Sequence, residues 1–214
     1  MKEVAAVIPA YNEELTVGAV VATLLQVSAI AEVIVVSDGS VDRTADMARA
    51  AGAQVLEHRE NQGKAAAMKT GFEATAAPVL LFLDADLTGL STTHVEKLLL
   101  PVVRDEADMT IGIFDDGRVA TDLAQLVAPY LSGQRAVRRH VVDEMFRAEP
   151  DTDVCRFGIE VALTRHVHNR GYRVKEVPLA EMSHRMKEEK LGLVKGMAAR
   201  LKMYYEILKY AQKG

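Results

Sequence analysis

The run Leu80-Leu81-Phe82-Leu83, followed at once by Asp84-Ala85-Asp86, narrows the possible folds more than any other stretch of this chain. Four consecutive apolar residues without polar alternation read as a strand covered on both faces, the pattern of a buried parallel sheet. Two carboxylates one residue apart at the end of such a strand repel each other and are costly to desolvate. A bound divalent cation relieves both problems, since hard carboxylate oxygens suit Mg2+ or Mn2+. The plainer reading is a solvated turn, and the three residues alone do not exclude it.

The same design recurs upstream. Val4–Ile8 reads as a first buried strand stopped by Pro9, with Asn12 and Glu13 suited to opening a helix through Val17, Val20, Val21, Leu24 and Leu25. Val33–Val36 is a second strand, followed by Ser37-Asp38-Gly39-Ser40 and a helix from Asp42-Arg43-Thr44 to Ala51, with Gly52 just past its end. Gln54–Glu57 is a short third strand, and an alanine-rich helix to Ala76 follows Asn61-Gln62-Gly63-Lys64. Beyond the paired aspartates, a helix over Thr92–Val103 precedes a further strand, Met109–Ile113. Strands alternating with helices predict a mostly parallel sheet between helices, with ligands beyond the carboxyl ends of the strands. Asp38, Lys64, Asp84 and Asp86 all follow strand ends and should share one rim.

At 214 residues the chain suits one substantial domain, and 49% apolar with 26% charged residues is an ordinary globular balance. The net charge of -4 gives no reason to expect nucleic-acid binding. Cys155 is the only cysteine, so an internal disulfide is excluded, and a reducing interior suits the chain. The start passes directly into a strand, and no apolar run approaches the roughly 20 residues of a membrane span. The chain is expected to lack a leader and to be cytoplasmic, with a peripheral contact to the inner face of the membrane as the variant of that reading.

Val7-Ile8-Pro9-Ala10-Tyr11-Asn12-Glu13-Glu14, Val35-Val36-Ser37-Asp38-Gly39-Ser40-Val41-Asp42-Arg43-Thr44, Asn61-Gln62-Gly63-Lys64 and Asp84-Ala85-Asp86 come in a fixed order. In that order they resemble the motifs of family 2 glycosyltransferases with the GT-A fold. One departure is Ser37, where the family usually has a second acid. Gly117-Arg118-Val119, Leu131–Arg139, Phe157–Val161 and Val177–Arg185 look most like glucosyl-3-phosphoglycerate synthases and the polyprenyl-phosphate sugar synthases beside them. Another departure is Ala120, where relatives place a threonine.

The resemblance implies a nucleotide-binding set of Pro9, Tyr11, Glu13, Val36, Asp38, Gly63, Lys64 and Asp84. It implies a Mg2+ or Mn2+ ion held by Asp86 and His184, although His184 by spacing alone is a histidine in a charged loop. A ligating histidine must be neutral, so metal binding should weaken as pH falls toward about 6.5. Asp86, Glu160 and Arg135 are implied at the reacting centre, and Arg118, Arg135 and Arg139 are candidates for an anionic acceptor, whose oxygens match arginine's planar fork. Glu160 stands as either a general base or a helix-surface glutamate. Arg138 and His140 fit a solvated basic face.

The expected architecture is an α/β GT-A domain over residues 1–187, with a Rossmann-like nucleotide-binding half, and a C-terminal helix over 188–214 that packs or dimerises. The expected activity is transfer of a hexose from a UDP- or GDP-sugar to a small anionic acceptor, with a homodimer favoured. Three alternatives are a polyprenyl-phosphate sugar synthase acting on a lipid phosphate, a nucleotide-sugar binding protein without turnover, and a nucleotidyltransferase. The last would need a glycine-rich loop where Pro9-Ala10-Tyr11-Asn12 stands. The two resembled groups differ in stereochemical outcome, and the sequence leaves retention or inversion open.

Overall fold

The structure, a computed structural model, describes residues 3–115, 132–148, 158–180 and 182–184. In chain order these form β1 (Val4–Ala10), α1 (Val17–Leu24), β2 (Ile30–Asp38), α2 (Thr44–Ala50), β3 (Gln54–His58), α3 (Lys64–Glu73), β4 (Val79–Phe82) and β5 (Leu87–Thr88). They continue as α4 (Thr92–Val103), β6 (Met109–Asp115), β7 (Arg135–Arg138), α5 (Arg139–Ala148), α6 (Ile159–Arg170), β8 (Val174–Ala180) and β9 (Ser183–His184).

Successive side chains of a strand point to opposite faces, so the uninterrupted apolar runs must be covered twice. β1 shows how. Val4, Ala6 and Ile8 pack with Val17, Val21 and Leu24 of α1 and Leu98 and Val102 of α4. Ala5 and Val7 pack on the other side with Met68 and Phe72 of α3, Val141 and Met145 of α5, and Leu163 and Val167 of α6. The result is the expected mostly parallel sheet between helices. Seven strands run in the order β3-β2-β1-β4-β7-β6-β8, and β7 alone among them is antiparallel to its neighbours. The short strands β5 and β9 pair separately and antiparallel.

The approach of α3 to the sheet is the tightest. A Cβ on Gly71 would stand 2.3 Å from Val7 Cγ1. A glycine inside a helix costs about 1 kcal/mol relative to alanine; here it lets helix and strand meet.

α4 has the expected bounds, with Ser91 and His94 forming a reciprocal cap in which each backbone N–H finds the other's side chain at 3.3 Å. Three expectations are corrected. Pro9 does not stop β1, which runs to Ala10; near a strand end, proline loses only a single ladder donor, and Pro9 still aligns with Val36. The first helix opens at Val17 rather than at Asn12 and Glu13, because those residues are bonded to the turn after β2. The alanine-rich helix ends at Glu73, before a turn in which Thr75 Oγ1 accepts from Ala77 N–H ahead of Pro78.

Arg118 and the segment 188–214 lie outside the described residues. Among the described residues, no helix is long and apolar enough to cross a membrane.

Candidate active site

In an open α/β sheet ligands bind beyond the carboxyl ends of the strands, where the strand order reverses. Here the order reverses at β1, with β2 and β3 added on one side of it and β4 on the other. A cleft of about 530 Å³ opens there. Pro9, Ala10, Tyr11 and Glu13 after β1, Asp38 at the end of β2, and Asp84, Ala85 and Asp86 after β4 line it. Asn61, Gly63, Lys64 and Ala67 from the start of α3 complete the lining. Eight residues singled out in the sequence for the donor or its metal, namely Pro9, Tyr11, Glu13, Asp38, Gly63, Lys64, Asp84 and Asp86, therefore share one cavity.

The first two motifs hold each other in place. Asn12 N–H donates to Ser40 Oγ and Val41 N–H donates to Asn12 Oδ1; Glu13 N–H donates to Thr44 Oγ1 and Glu14 N–H to Asp42 Oδ2. Partial burial pushes the Asp42 carboxyl up, but hydrogen bonds from Thr44 and from the Glu14 backbone outweigh it and hold the group below the usual carboxylate range. Asn12 takes a left-handed conformation (φ 56°) to make this junction. Beside it, Tyr11 is 48% exposed and lines the cleft.

Asp38 is almost wholly buried, and it anchors the second motif to the third. Gln62 N–H donates to its Oδ1 at 2.9 Å and Gly63 N–H to its Oδ2 at 2.8 Å. Gly39 follows at φ 69°, and a Cβ there would fall 2.4 Å from Asn61 N. Only glycine permits both that conformation and that approach.

Lys64, in the first turn of α3, pairs with Asp84 and, at 2.5 Å, with Glu160 in the first turn of α6. Burial pushes its ammonium pKa down, yet Asp84 and Glu160 outweigh this and hold it well above the usual lysine value, so it is charged at neutral pH. The Glu160 side chain is only 13% exposed, which does not fit a helix-surface glutamate. Gln134 Nε2–H donates to Asp84 Oδ2 at 2.8 Å, and Gly133 abuts the same carboxylate: a Cβ there would lie 2.5 Å from Asp84 Oδ2. Ser132 accepts from Gln134 N–H and donates to the Gly112 carbonyl.

Other expected residues sit elsewhere. Arg135 is 1% exposed; its Nε–H donates to the Ser132 carbonyl and its Nη1–H to Thr164 Oγ1, which in turn donates to the Glu160 carbonyl. Burial brings its pKa down to about 10, against the pull of Glu160 and Asp84. The expected direct contact with an acceptor is therefore corrected: Arg135 is a cation beneath the site. Arg139 is corrected as an acceptor ligand too. β7 runs antiparallel to β4, with Phe82 opposite Arg135 and Val79 opposite Arg138. Arg139 thus lies at the far end of the sheet, stacked 4.3 Å over the Phe72 ring and bonded to the Phe72 carbonyl. Val36 is fully buried with Ile34 and Ala67, a floor under the cleft rather than a wall.

For His184 the backbone register sets it opposite Leu87, the residue after Asp86; its side chain lies outside the described residues. Among the described residues, no group of three or more His, Cys, Asp or Glu forms a ready cation cage.

Sequence reading gave no individual role to Gly133 and Gln134 within the Leu131–Arg139 motif, nor to Thr164 or His58. The last ends β3 beside Asp38, with its Nδ1–H donating to Asp38 Oδ1. Strand-end register was the signal that could have found His58. Nothing local marks Thr164.

The model of the family described as "Glycosyl transferase family 2" matches residues 5–175 of the chain. The chain belongs to that family. The dolichyl-phosphate hexose transferase of Haloferax volcanii is 29% identical over 92% of this chain and 90% of its own. The glucosyl-3-phosphoglycerate synthase of Mycolicibacterium smegmatis is 36% identical over 48% of this chain, a match that spans 37% of that protein. Crystal structures of the Mycobacterium tuberculosis glucosyl-3-phosphoglycerate synthase superpose with a TM-score of 0.76 over 98% of this chain and 79–80% of theirs at 23% identity, which establishes the GT-A fold. One of those structures holds phosphoglyceric acid and another Mg2+ with uridine diphosphate.

In this family 2 enzyme the tight Gly133–Asp84 contact is open to test. Gly133→Ala should displace the Asp84 carboxylate by a sizeable part of an ångström. A misplacement of that order costs up to about 10²-fold in rate. Turnover measured beside circular dichroism should show a large fall in kcat in a protein that stays folded.

Proposed function

We propose that this family 2 glycosyltransferase moves a hexose from a UDP- or GDP-sugar to a small anionic acceptor, with Mg2+ or Mn2+ in the donor cleft. The observation that carries this reading is the convergence of Pro9, Tyr11, Glu13, Asp38, Gly63, Lys64, Asp84 and Asp86 on one cleft. Tyr11 offers a flat face and Asp38 an acceptor oxygen for a base. Gly63 and Lys64 open α3, and exposed N–H groups at a helix start favour phosphate.

Charge supports a cation. Four carboxylates (Glu13, Asp38, Asp84, Asp86) and the Lys64 ammonium line the cleft. A diphosphate entering so acidic a cleft needs further positive charge. Asp86, a hard oxygen donor on the cleft wall, fits such an ion, and the adjoining β5–β9 ladder favours His184 as its second ligand. When bound, the ion offsets the charge that builds on the leaving diphosphate.

The chain's own groups do the rest. Lys64 exchanges its carboxylate partners for the diphosphate. Glu160, released from Lys64, accepts the proton of the attacking hydroxyl. Arg135 stays beneath as a buried positive charge near Asp84 and Glu160. Arg118 binds the acceptor's anionic group, a reading supported by the Gly117-Arg118-Val119 motif. A second reading, transfer to a lipid phosphate, is favoured by the nearly end-to-end match with the Haloferax volcanii dolichyl-phosphate hexose transferase. We further assign residues 1–187 to the transferase domain of a cytoplasmic homodimer and 188–214 to a helix that packs or dimerises; sedimentation of full-length chain against one ending at 187 tests the dimer.

Calorimetry with UDP and Mn2+ should show nucleotide affinity that depends on metal in the native enzyme and no longer does in Asp86→Ala or His184→Ala. Unchanged metal-assisted affinity in both would remove that assignment. Transfer assays should favour soluble phosphorylated or carboxylated acceptors, and Arg118→Ala should raise the acceptor KM steeply with donor binding intact. Turnover only with a polyprenyl phosphate in detergent would establish the lipid acceptor instead.

A further inference from the structure

β2 ends in Asp38 and β3 ends in His58, and their parallel register sets the two side by side. His58 is 10% exposed and the Asp38 side chain 4%. The imidazole Nδ1–H donates to Asp38 Oδ1 at 2.7 Å, while Nε2 lies 2.9 Å from Thr70 Oγ1 on α3. His58 therefore joins two strand ends to the helix that carries Lys64.

A carboxylate offers about four acceptor positions. On Asp38, His58 and Gln62 N–H occupy Oδ1, and Gly63 N–H takes one position on Oδ2. A single position on Oδ2 is left for the cleft that Asp38 lines. Uracil presents a single ring N–H between two carbonyls. Guanine presents a ring N–H beside an amino group, and the pair asks for both oxygens of a carboxylate.

We propose that His58 is a positioning residue for the donor base: it orients Asp38 and occupies its second oxygen, so that the cleft selects uridine over guanosine nucleotides. This rests on the nucleotide reading of the cleft. The hydrogen bond to Thr70 makes the imidazole a fixed strut, so removing it loosens both Asp38 and the start of α3.

Calorimetry of the full chain with UDP and with GDP, each with Mn2+, tests it. The native enzyme should bind UDP more tightly. His58→Leu, of similar bulk but without ring nitrogens, should lose about tenfold in UDP affinity, the scale of one hydrogen bond. It should also narrow the preference over GDP. His58→Asn, whose carboxamide N–H can stand near the Nδ1 position, should restore most of both. A merely structural role would lower the melting temperature without moving the UDP-to-GDP ratio. Native-like affinities and ratio in a folded His58→Leu, or tighter GDP binding by the native enzyme, would overturn the proposal. Should His58→Leu not fold, Thr70→Val decides: a weaker UDP site at unchanged melting temperature supports it, and an unchanged site overturns it. Binding of neither nucleotide by the native enzyme would instead overturn the nucleotide reading of the cleft, and this one with it.

Discussion

The Lys64 ammonium, held between Asp84 and Glu160, is the contact on which the rest of the site depends. It draws together the start of α3, the end of β4 and the start of α6, which the chain delivers from three separate places. The two carboxylates repel each other and would be costly to bury alone. Lys64 beside them and Arg135 beneath make the group electrically balanced, and Gln134 satisfies a further lone pair on Asp84. An anionic ligand entering this cluster changes that balance, so binding and rearrangement are coupled by electrostatics.

Such a cluster needs a rigid frame, and the sheet supplies it. β1 is covered on both faces and flanked by parallel partners on both edges, which leaves its carboxyl end no freedom to drift. β7 enters antiparallel between β4 and β6, and this reversal puts Gln134 and Arg135 at the cleft edge and Arg139 at the opposite one. The Ala10–Glu14 and Ser40–Thr44 segments, irregular by themselves, satisfy each other's backbone N–H groups. Irregular backbone near a cleft is costly unless its polar groups are paired, and these pairings keep Tyr11 and Glu13 in place without a helix.

Much of this was legible beforehand because it is local. Apolar runs named the strands, and the helix expected over Thr92–Val103 has those bounds. The acids and the lysine following strand ends named the rim, since a parallel sheet gathers those ends on one side. Arg135 and Arg139 show where local reading stops. Both look like arginines offered to a ligand, yet one is sealed under the site and the other stacks on Phe72. Their fates differ because they stand on either side of one short strand, and strand direction is set by pairing partners that lie far away in sequence. Gln134 and His58 were given no individual role for the same reason.

The amino-acid sequence by itself determined the class of fold, the parallel half of the sheet and many of the residues that line the cleft, because buried-strand patterning and strand-end chemistry are written in short stretches. Tertiary structure alone decided which carboxylates share Lys64, that Asp38 is already held by His58 and two loop amides, and that Arg135 faces inward. Charges interact through space with a strength set by distance and burial, and neither quantity exists until β4, β7 and α6 have been brought together.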